Sequence, residues 1–412
     1  MTEPLDSTPS ALVARPALLT RPLLLRFVSI LGGSTSFYLL LSAVPRYAST
    51  GDRGGGGGAA GLATGALMLA TVAGELATPV LVRRFGYRVV LAVGLGLMGA
   101  PALALPISRE PGWIVAVCLL RGLGFAFTVV AGGGLTASLI PAERRSEGLA
   151  VTGLVSGVPS LVALPLGVWL AAHAGYGVVF TAGAVAALAA IPTVPGLPDR
   201  IRNSGRSVGI TEALRTAELL RPAVVFAVSA VAAGIVVTFL PLAVPASATG
   251  LVATALFVQP AAATLARWLA GRRGDRHGSA GLVLPGLLLS AAGTSLMALT
   301  RSPVAVVVAV GLFGIGFGVA QNATLSLMYA RVSAAGFGAV SALWNFAYDA
   351  GMGVGAIGFG WLAAATGYPW AFALTGVAML GALVPALADR GAGARTVADE
   401  ADRPPASRDP AR

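Results

Sequence analysis

Three polar side chains recur at helical spacing inside one long apolar stretch of the sequence. Ser341, Asn345 and Asp349 stand four residues apart, so a helix over 338–365 places them along one face. With a rise of about 1.5 Å per residue, Asp349 would lie roughly 17 Å deep in a hydrocarbon core of about 30 Å. An ionised carboxylate there costs at least about 2.5 kcal/mol. We therefore predict that Asp349 binds protons or substrate, and the alternative is a structural ion pair with an arginine.

This region is one copy of a segment that occurs twice in the chain. Three pairs of segments share one offset of 192 residues (for instance 314 minus 122): GLGF at 122–125 with GIGF at 314–317, WLAAHAGYGVVF at 169–180 with WLAAATGYPWAF at 361–372, and RRFG at 83–86 with DRHG at 275–278. A further pair, LLSAVP at 40–45 and LPLAVP at 240–245, is shifted by 200, and the glycine run 54–58 absorbs the difference. The chain is thus predicted to be two halves of one design. The repeat equivalent of Asp349 is Gly157, so packing symmetry does not demand the carboxylate.

The composition is that of an integral membrane protein. Of 412 residues, 56% are hydrophobic and 11% charged, with a mean hydropathy of +0.82. The net charge of +11 does not indicate nucleic-acid binding, because the arginines lie in short links between apolar runs. The single cysteine, Cys118, excludes a disulfide framework and a cysteine metal site, and we expect neither a metal nor a cofactor.

Apolar runs predict an all-α membrane protein with twelve transmembrane helices, in two pseudo-symmetric halves of six around a central cavity. The predicted spans are 24–45, 59–82, 89–107, 113–139, 148–171, 177–196, 223–244, 250–269, 280–299, 303–329, 338–365 and 369–388. The predicted regions are a cytoplasmic tail (1–22), the first half (23–196), a cytoplasmic linker (197–221), the second half (222–388) and a disordered cytoplasmic tail (389–412).

The distribution of arginine predicts the orientation. With the N-terminus inside, 23 of the 28 arginines are cytoplasmic, Arg121 lies within a span, and four are outside: Arg46, Arg53, Arg109 and Arg301. The positive-inside rule therefore places both termini in the cytoplasm. The absence of lysine and the abundance of alanine and glycine suggest a GC-rich bacterial genome, and hence the bacterial cytoplasmic membrane.

Two links between helices resemble a known motif. The loop after helix 8, GRRGDRHG at 271–278, is similar to the Gly-x-x-x-Asp-Arg-x-Gly motif of the major facilitator superfamily, with Asp275, Arg276 and Gly278 in the motif positions. The link after helix 2 keeps three motif residues and replaces two: it has Arg84, Gly86 and Arg88, with Pro79 for the first glycine and Arg83 for the aspartate.

With the twelve spans and the repeat, this resemblance covers nearly the whole chain. It implies a secondary transporter whose halves rock about a central cavity, and within the superfamily the chain most resembles bacterial drug/proton and sugar efflux proteins. Two details depart from that pattern. Arg121 directly precedes Gly122, where the family usually has its arginine three or four residues before a glycine, and helix 5 lacks the Gly-Pro dipeptide of the antiporter motif.

Other charged residues within the spans have two interpretations each. Glu75 and Arg267 occupy equivalent positions in the two halves (267 minus 75 is 192), which predicts a pair that closes the cytoplasmic side. Alternatively, both extend separately to the membrane interface. Glu75 is also a second candidate for proton coupling. Arg121 would meet an anionic substrate or neutralise a carboxylate in the cavity.

Uncharged polar residues provide further candidates for the cavity lining. These are Gln259, Gln321, Asn322, Asn345 and Tyr38. Hydrogen bonds between helices are the alternative for each of them.

Motifs for other functions are absent or lack the required context. GVGAIG at 353–358 fits a dinucleotide pattern, but no strand precedes it, so helix packing is favoured. Without lysine there is no ATP-hydrolysing Gly-Lys-Ser/Thr loop.

We therefore predict a proton-coupled exporter of a small organic compound, not an enzyme, that is a monomer in membrane lipid. An uptake symporter of the same fold is the main alternative, and a transport-like membrane sensor and an intramembrane enzyme are remote ones.

Overall fold

Long apolar runs must satisfy their backbone hydrogen bonds internally, and here they do so as helices. The computed structural model describes residues 17–50, 56–141, 144–199, 215–245, 248–332 and 336–389. In chain order the helices are α1 Arg21–Ser49, α2 56–85, α3 87–103, α4 Pro111–Leu139, α5 Arg145–His173, α6 Tyr176–Leu188, α7 Ala217–Ala243, α8 Thr249–His277, α9 Ala280–Leu296, α10 Pro303–Ala330, α11 Phe337–Thr366 and α12 Tyr368–Met379. Helix α6 continues as a 3-10 turn, Ile191–Gly196, and the apolar span that starts with α12 runs to Asp389.

These helices confirm the predicted fold class. Among the described residues, nine helical segments are long and apolar enough to cross a membrane, and one of them, Gly56–Ile107, has 52 residues and holds α2 and α3. Two helices fall outside that set for evident reasons. Helix α9 has only 17 residues, and α11 carries the polar face with Asn345 and Asp349. The nine segments hold ten helices, and α9 and α11 bring the number within the described ranges to twelve.

The sequence repeat is also visible in the backbone. Four of the five described glycines with positive φ form two pairs: Gly86 (φ 83°) with Gly278 (φ 78°), and Gly175 (φ 85°) with Gly367 (φ 79°). Both pairs are 192 residues apart (278 minus 86, and 367 minus 175). Each glycine lies where one helix gives way to the next, at a φ that residues with a Cβ rarely adopt. The two halves therefore turn at equivalent points.

The N-terminal half (α1–α6) and the C-terminal half (α7–α12) meet along two helix pairs. Helix α2 packs on α11, and α5 packs on α8. Because α2 is the repeat equivalent of α8 and α5 that of α11, these contacts are related by the same pseudo-symmetry. We call the end of the bundle where α1 begins proximal, and the end where α2 begins distal.

Small residues allow the two halves to approach closely at the distal end. A Cβ on Gly61 of α2 would collide with the carbonyl oxygen of Ala356 on α11. The Thr238 hydroxyl of α7 donates to the Thr64 hydroxyl of α2, at 3.0 Å between the oxygens. In this conformation the distal ends of the two halves are therefore packed together.

Candidate functional site

Two carboxyl groups from different halves meet inside the bundle. The carboxyl groups of Glu75 on α2 and Asp349 on α11 lie within reach of a hydrogen bond to each other. Asp349 is 5% exposed and Glu75 is half-buried. A carboxylate has no proton to donate, so a hydrogen bond between two carboxyl groups requires at least one of them to be protonated. The pair joins the two halves, and its geometry suits a shared proton.

Two tyrosines lie beside this pair. Tyr38 on α1 lies near Asp349, and Tyr348 on α11 lies near both Tyr38 and Asp349. Each half thus places one phenol near Asp349. Sequence analysis predicted Tyr38 as a polar cavity residue but did not identify Tyr348, because an aromatic residue inside a span is usually a packing residue.

Aromatic stacking holds the face of α11 that carries Asp349. The rings of Phe226 and Trp344 are stacked, with centroids 4.3 Å apart and an interplanar angle of 10°. The Phe226 ring also stacks on Tyr348, with centroids 5.9 Å apart. The indole nitrogen of Trp344 donates to the Thr324 hydroxyl at 3.3 Å. These contacts fix the turn of α11 that leads into Asp349.

The predicted pair between Glu75 and Arg267 is not present in this conformation. The Glu75 carboxyl contacts Asp349 instead, whereas the exposed Arg267 side chain lies near Tyr348. Within the described ranges, no ion pair joins Glu75 to Arg267. The sequence repeat made the two positions equivalent, but it did not bring them together in space. The gate formed by Glu75 and Arg267 therefore stays a prediction, for a conformation in which the proximal ends of the halves come together.

A cavity of about 300 Å³ lies in the N-terminal half, towards its proximal end. Residues of α1, α4 and α5 line it, among them the hydroxyl-bearing Ser34, Thr152 and Ser156. Tyr38 lines the same cavity and therefore links it to the carboxyl pair. Phe125 contributes an aromatic wall, and its ring stacks on Phe37 at 3.7 Å between centroids. The space matches the lower end of small-molecule sites, which begin at about 300 Å³.

Arg26 also lines this cavity, and sequence analysis did not identify it as a site residue. Its position near the start of the first span suggested an interfacial arginine, yet it is only 4% exposed. Four groups accept hydrogen bonds from its guanidinium: the carbonyl oxygens of Gly132 (3.2 Å) and Thr128 (3.3 Å) and the hydroxyls of Thr136 (3.2 Å) and Ser29 (2.6 Å). A Cβ on Gly132 would collide with the guanidinium. The run of three glycines at 132–134 was the sequence feature that could have indicated a close approach of another side chain to α4.

Arg121, which was predicted to face the cavity, lies elsewhere in this conformation. It is 2% exposed, and its guanidinium donates to the carbonyl oxygens of Met98 (3.1 Å) and Ser36 (3.0 Å). It therefore joins α4 to α3 and α1 inside the N-terminal half. These carbonyl groups satisfy donors of the buried guanidinium, which sequence spacing alone did not reveal.

The remaining polar candidates occupy positions between helices. Gln259, Gln321 and Asn345 are half-buried, and their side chains make no hydrogen bond within the described part of the chain. The side-chain oxygen of Asn322 is buried and has no described partner. Their role in the cavity lining stays a prediction.

The two motif links end their helices in the same way. At the second link, α8 ends with Arg276 exposed in its last turn, and Gly278 follows with positive φ. The side chain of Asp275 lies outside what the structure describes. At the first link, Arg84 is exposed, with its guanidinium carbon 5.2 Å from the centroid of the Phe85 ring.

A carboxylate from the linker contacts the first link, where the motif's own aspartate is replaced by arginine. The backbone N–H of Arg88 donates to Oδ1 of Asp199 at 3.1 Å, and the N–H of Tyr87 donates to the Asp199 carbonyl at 3.0 Å. The Arg88 guanidinium donates to the carbonyl of Leu197. A Cβ on Gly86 would stand 2.5 Å from Oδ1 of Asp199. Residues 197–199, predicted as the start of the linker, thus pack on the N-terminal half.

Comparison with known proteins agrees with this architecture. The family profile of the Major Facilitator Superfamily matches residues 22–247 and 222–410. Among curated proteins, none matches the chain significantly by sequence.

Solved structures show the same fold. The nucleoside transporter NupG is 15% identical with a TM-score of 0.69, covering 90% of this chain and 99% of its own. A POT family transporter in complex with 5-aminolevulinic acid is 12% identical with a TM-score of 0.70, covering 89% of this chain and 95% of its own.

The two profile matches together cover nearly the whole chain, and the twelve helices form the corresponding two-half architecture. The chain therefore belongs to the Major Facilitator Superfamily, and it is a multi-pass secondary transporter of a small molecule rather than an enzyme.

Proposed function

We propose that this transporter is a proton-coupled exporter of a small organic compound and that Glu75 and Asp349 form its proton site. The approach of the two carboxyl groups to within reach of a hydrogen bond carries this proposal. Two carboxyl groups form such a bond only when a proton is present, and each group belongs to a different half of the bundle. Gain or loss of one proton therefore acts directly on the contact between the halves.

The order of steps follows from the conformation. The distal ends are packed together, and the cavity lies towards the proximal end. With the predicted orientation, which places both termini in the cytoplasm of a bacterial cell, the cavity is on the cytoplasmic side. A proton that arrived from outside is then held by the pair until it leaves to the cytoplasm. Its loss leaves two negative charges between α2 and α11 and favours the opposite conformation.

Substrate and proton are linked through Tyr38, which lines the cavity and lies near Asp349. A compound that enters from the cytoplasm meets this side chain, so substrate binding and the proton site can influence each other. One proton that moves inward across 100 mV releases about 2.3 kcal/mol, enough for roughly a fortyfold gradient of a neutral substrate. Export in exchange for protons therefore needs no ATP.

Flux measurements in proteoliposomes test this function. A panel of labelled small organic acids, bases and neutral compounds is offered with and without an imposed pH gradient, to wild type, Asp349→Asn and Glu75→Gln. We expect the wild type to concentrate at least one compound at the expense of the pH gradient. Each variant should lose this accumulation, because an amide cannot exchange a proton. Exchange without net proton movement should survive in Asp349→Asn.

Asp389→Asn is the matched control. Asp389 is an equally buried aspartate, at 7% exposure, but its carboxylate accepts two hydrogen bonds of 2.8 Å from Arg331. Its substitution should leave the dependence on the pH gradient unchanged. Accumulation by Asp349→Asn at the wild-type level, or no movement of any compound in the panel, would contradict the proposal.

A further inference from the structure

We propose that the cavity at Arg26 binds the anionic group of the substrate, so that the transported compound is a small organic anion. This deepens the proposed function and rests on it, because it names the substrate class of the same transporter. The inference depends on the guanidinium of Arg26, its acceptors and the cavity wall that it forms.

Within the residues that the structure describes, the positive charge of Arg26 has no negative partner. All four of its acceptors, two carbonyl oxygens and two hydroxyls, are uncharged. Within the described part of the chain, no acidic side chain contacts it. Removing a guanidinium from water without a counter-ion is costly, and such residues inside membrane proteins mark substrate or ion pathways. An anionic ligand would supply the counter-charge at this position.

The guanidinium has the capacity to bind one. It carries five N–H groups, one on Nε and two on each terminal nitrogen. In the structure, Nη1 and Nη2 each have one acceptor, Ser29 and Thr128 respectively. One N–H on each terminal nitrogen stays available, and two such donors fit a carboxylate or phosphate oxygen pair. The Ser29 hydroxyl in turn donates to the Arg26 carbonyl at 2.8 Å, which holds the side chain in place.

Packing alone does not explain the arginine. By the offset of 200 that relates α1 to α7, the equivalent of Arg26 in the C-terminal half is Phe226 (226 minus 26). Phe226 is fully buried and stacks on Trp344. The same place in the other half is thus filled by an apolar ring, so a charged side chain is not required to fill it. Only the N-terminal half has a charged residue at this position, just as only the C-terminal half has a carboxylate at the position of Asp349.

The rest of the wall suits an organic anion rather than a bare inorganic ion. Phe125 presents an aromatic surface, and Thr152 and Ser156 present hydroxyls on the opposite helix. A volume of about 300 Å³ exceeds what one inorganic oxyanion fills. Tyr38 connects this wall to the proton site. An anion bound here would therefore lie in a cavity whose wall includes Tyr38, which approaches Asp349.

Binding to purified protein in detergent, without any pH gradient, tests the inference separately from proton-coupled export. The probes are matched pairs of small carboxylic acids and their primary amides, including benzoate and benzamide, and inorganic phosphate. The readouts are thermal stabilisation and calorimetric affinity. We expect an acid to bind the wild type at least about tenfold more tightly than its amide, and Arg26→Gln to abolish that preference.

A second pair of variants keeps Arg26 in place. Gly133 lines the cavity beside Gly132, and a Cβ there meets no atom within 4 Å. Gly133→Asp adds a carboxylate to the cavity wall, whereas Gly133→Asn adds a neutral side chain of the same size. We expect Gly133→Asp to lose the preference for acids and Gly133→Asn to keep it.

Three results would overturn the inference. The first is that no acid in the panel binds the wild type more tightly than its amide. The second is that Arg26→Gln or Gly133→Asp keeps the preference. The third is that inorganic phosphate stabilises the protein as well as every organic acid does, which would indicate a small-ion site only. If the wild type showed no flux driven by a pH gradient but still bound acids more tightly than their amides, only the export proposal would be contradicted.

Discussion

Deprotonation of the Glu75–Asp349 pair should shift the protein away from the distally closed conformation. Two unit charges about 4 Å apart repel by about 4 kcal/mol at an effective dielectric constant of about 20. If the halves separate these groups in the other conformation, the equilibrium between the two conformations changes by up to roughly a thousandfold. The proposed proton site sets the sign, because a proton-bound pair would stabilise the described conformation. Its population should therefore fall as pH rises.

Distances between spin labels at the proximal end measure this shift. Phe85 and His277 are exposed, lie at the proximal ends of α2 and α8, and are repeat equivalents (277 minus 85 is 192). Phe85→Cys and His277→Cys would be labelled in a background with Cys118→Ala, which removes the buried native thiol. At low pH we expect one long distance. As pH rises, a shorter distance should appear while the proximal ends approach.

Substitutions at the pair should remove the pH dependence. In the double variant Glu75→Gln with Asp349→Asn, the distance distribution should be the same at every pH. Asp389→Asn should retain the wild-type response, because Asp389 pairs with Arg331 instead. A pH response that survives in the double variant would refute the assignment of the proton to this pair.

Further predictions concern the gate and the links. Exchanging the charges in the double variant Glu75→Arg with Arg267→Glu should not restore flux, because Glu75 contacts the carboxyl on α11. Recovery of flux in this double variant would instead support the predicted gate between Glu75 and Arg267. Gly86→Ala should lower the unfolding temperature in detergent more than Gly175→Ala. Both backbones are strained for alanine by about 1–3 kcal/mol, but only at Gly86 does the new Cβ meet a side chain; equal losses would show that the contact is unimportant. Asp275→Asn should slow conformational switching in label-distance kinetics and leave affinity unchanged, and weaker binding with normal switching would contradict the motif assignment.

The fold could be predicted because membrane spans depend on local composition. Runs of about twenty apolar residues define helices without reference to distant contacts. The repeat then relates the halves, and even the positive-φ glycines follow its offset. Asp349 was predictable for the same local reason, since a carboxylate in such a run is costly wherever its neighbours lie.

Contacts between helices could not be predicted in the same way. Glu75 had one candidate partner, Arg267 on α8, and only packing shows that α11 approaches it instead in this conformation. Arg121 was predicted to face the cavity and lies between carbonyl groups, whereas Arg26, which was counted among the cytoplasmic arginines, lines the cavity. The sequence does not report which side of a helix faces a neighbour.

The contact of Asp199 with the first link has a consequence for biosynthesis. The N–H groups of Tyr87 and Arg88 obtain their partners only from residue 199, about 110 residues later in the chain. During synthesis, α2 and α3 therefore enter the membrane before the acceptors of the turn between them have left the ribosome. A fragment that ends at Gly196 would contain all six helices and still lack these acceptors. The N-terminal half becomes a complete unit only when the chain has been translated through Asp199.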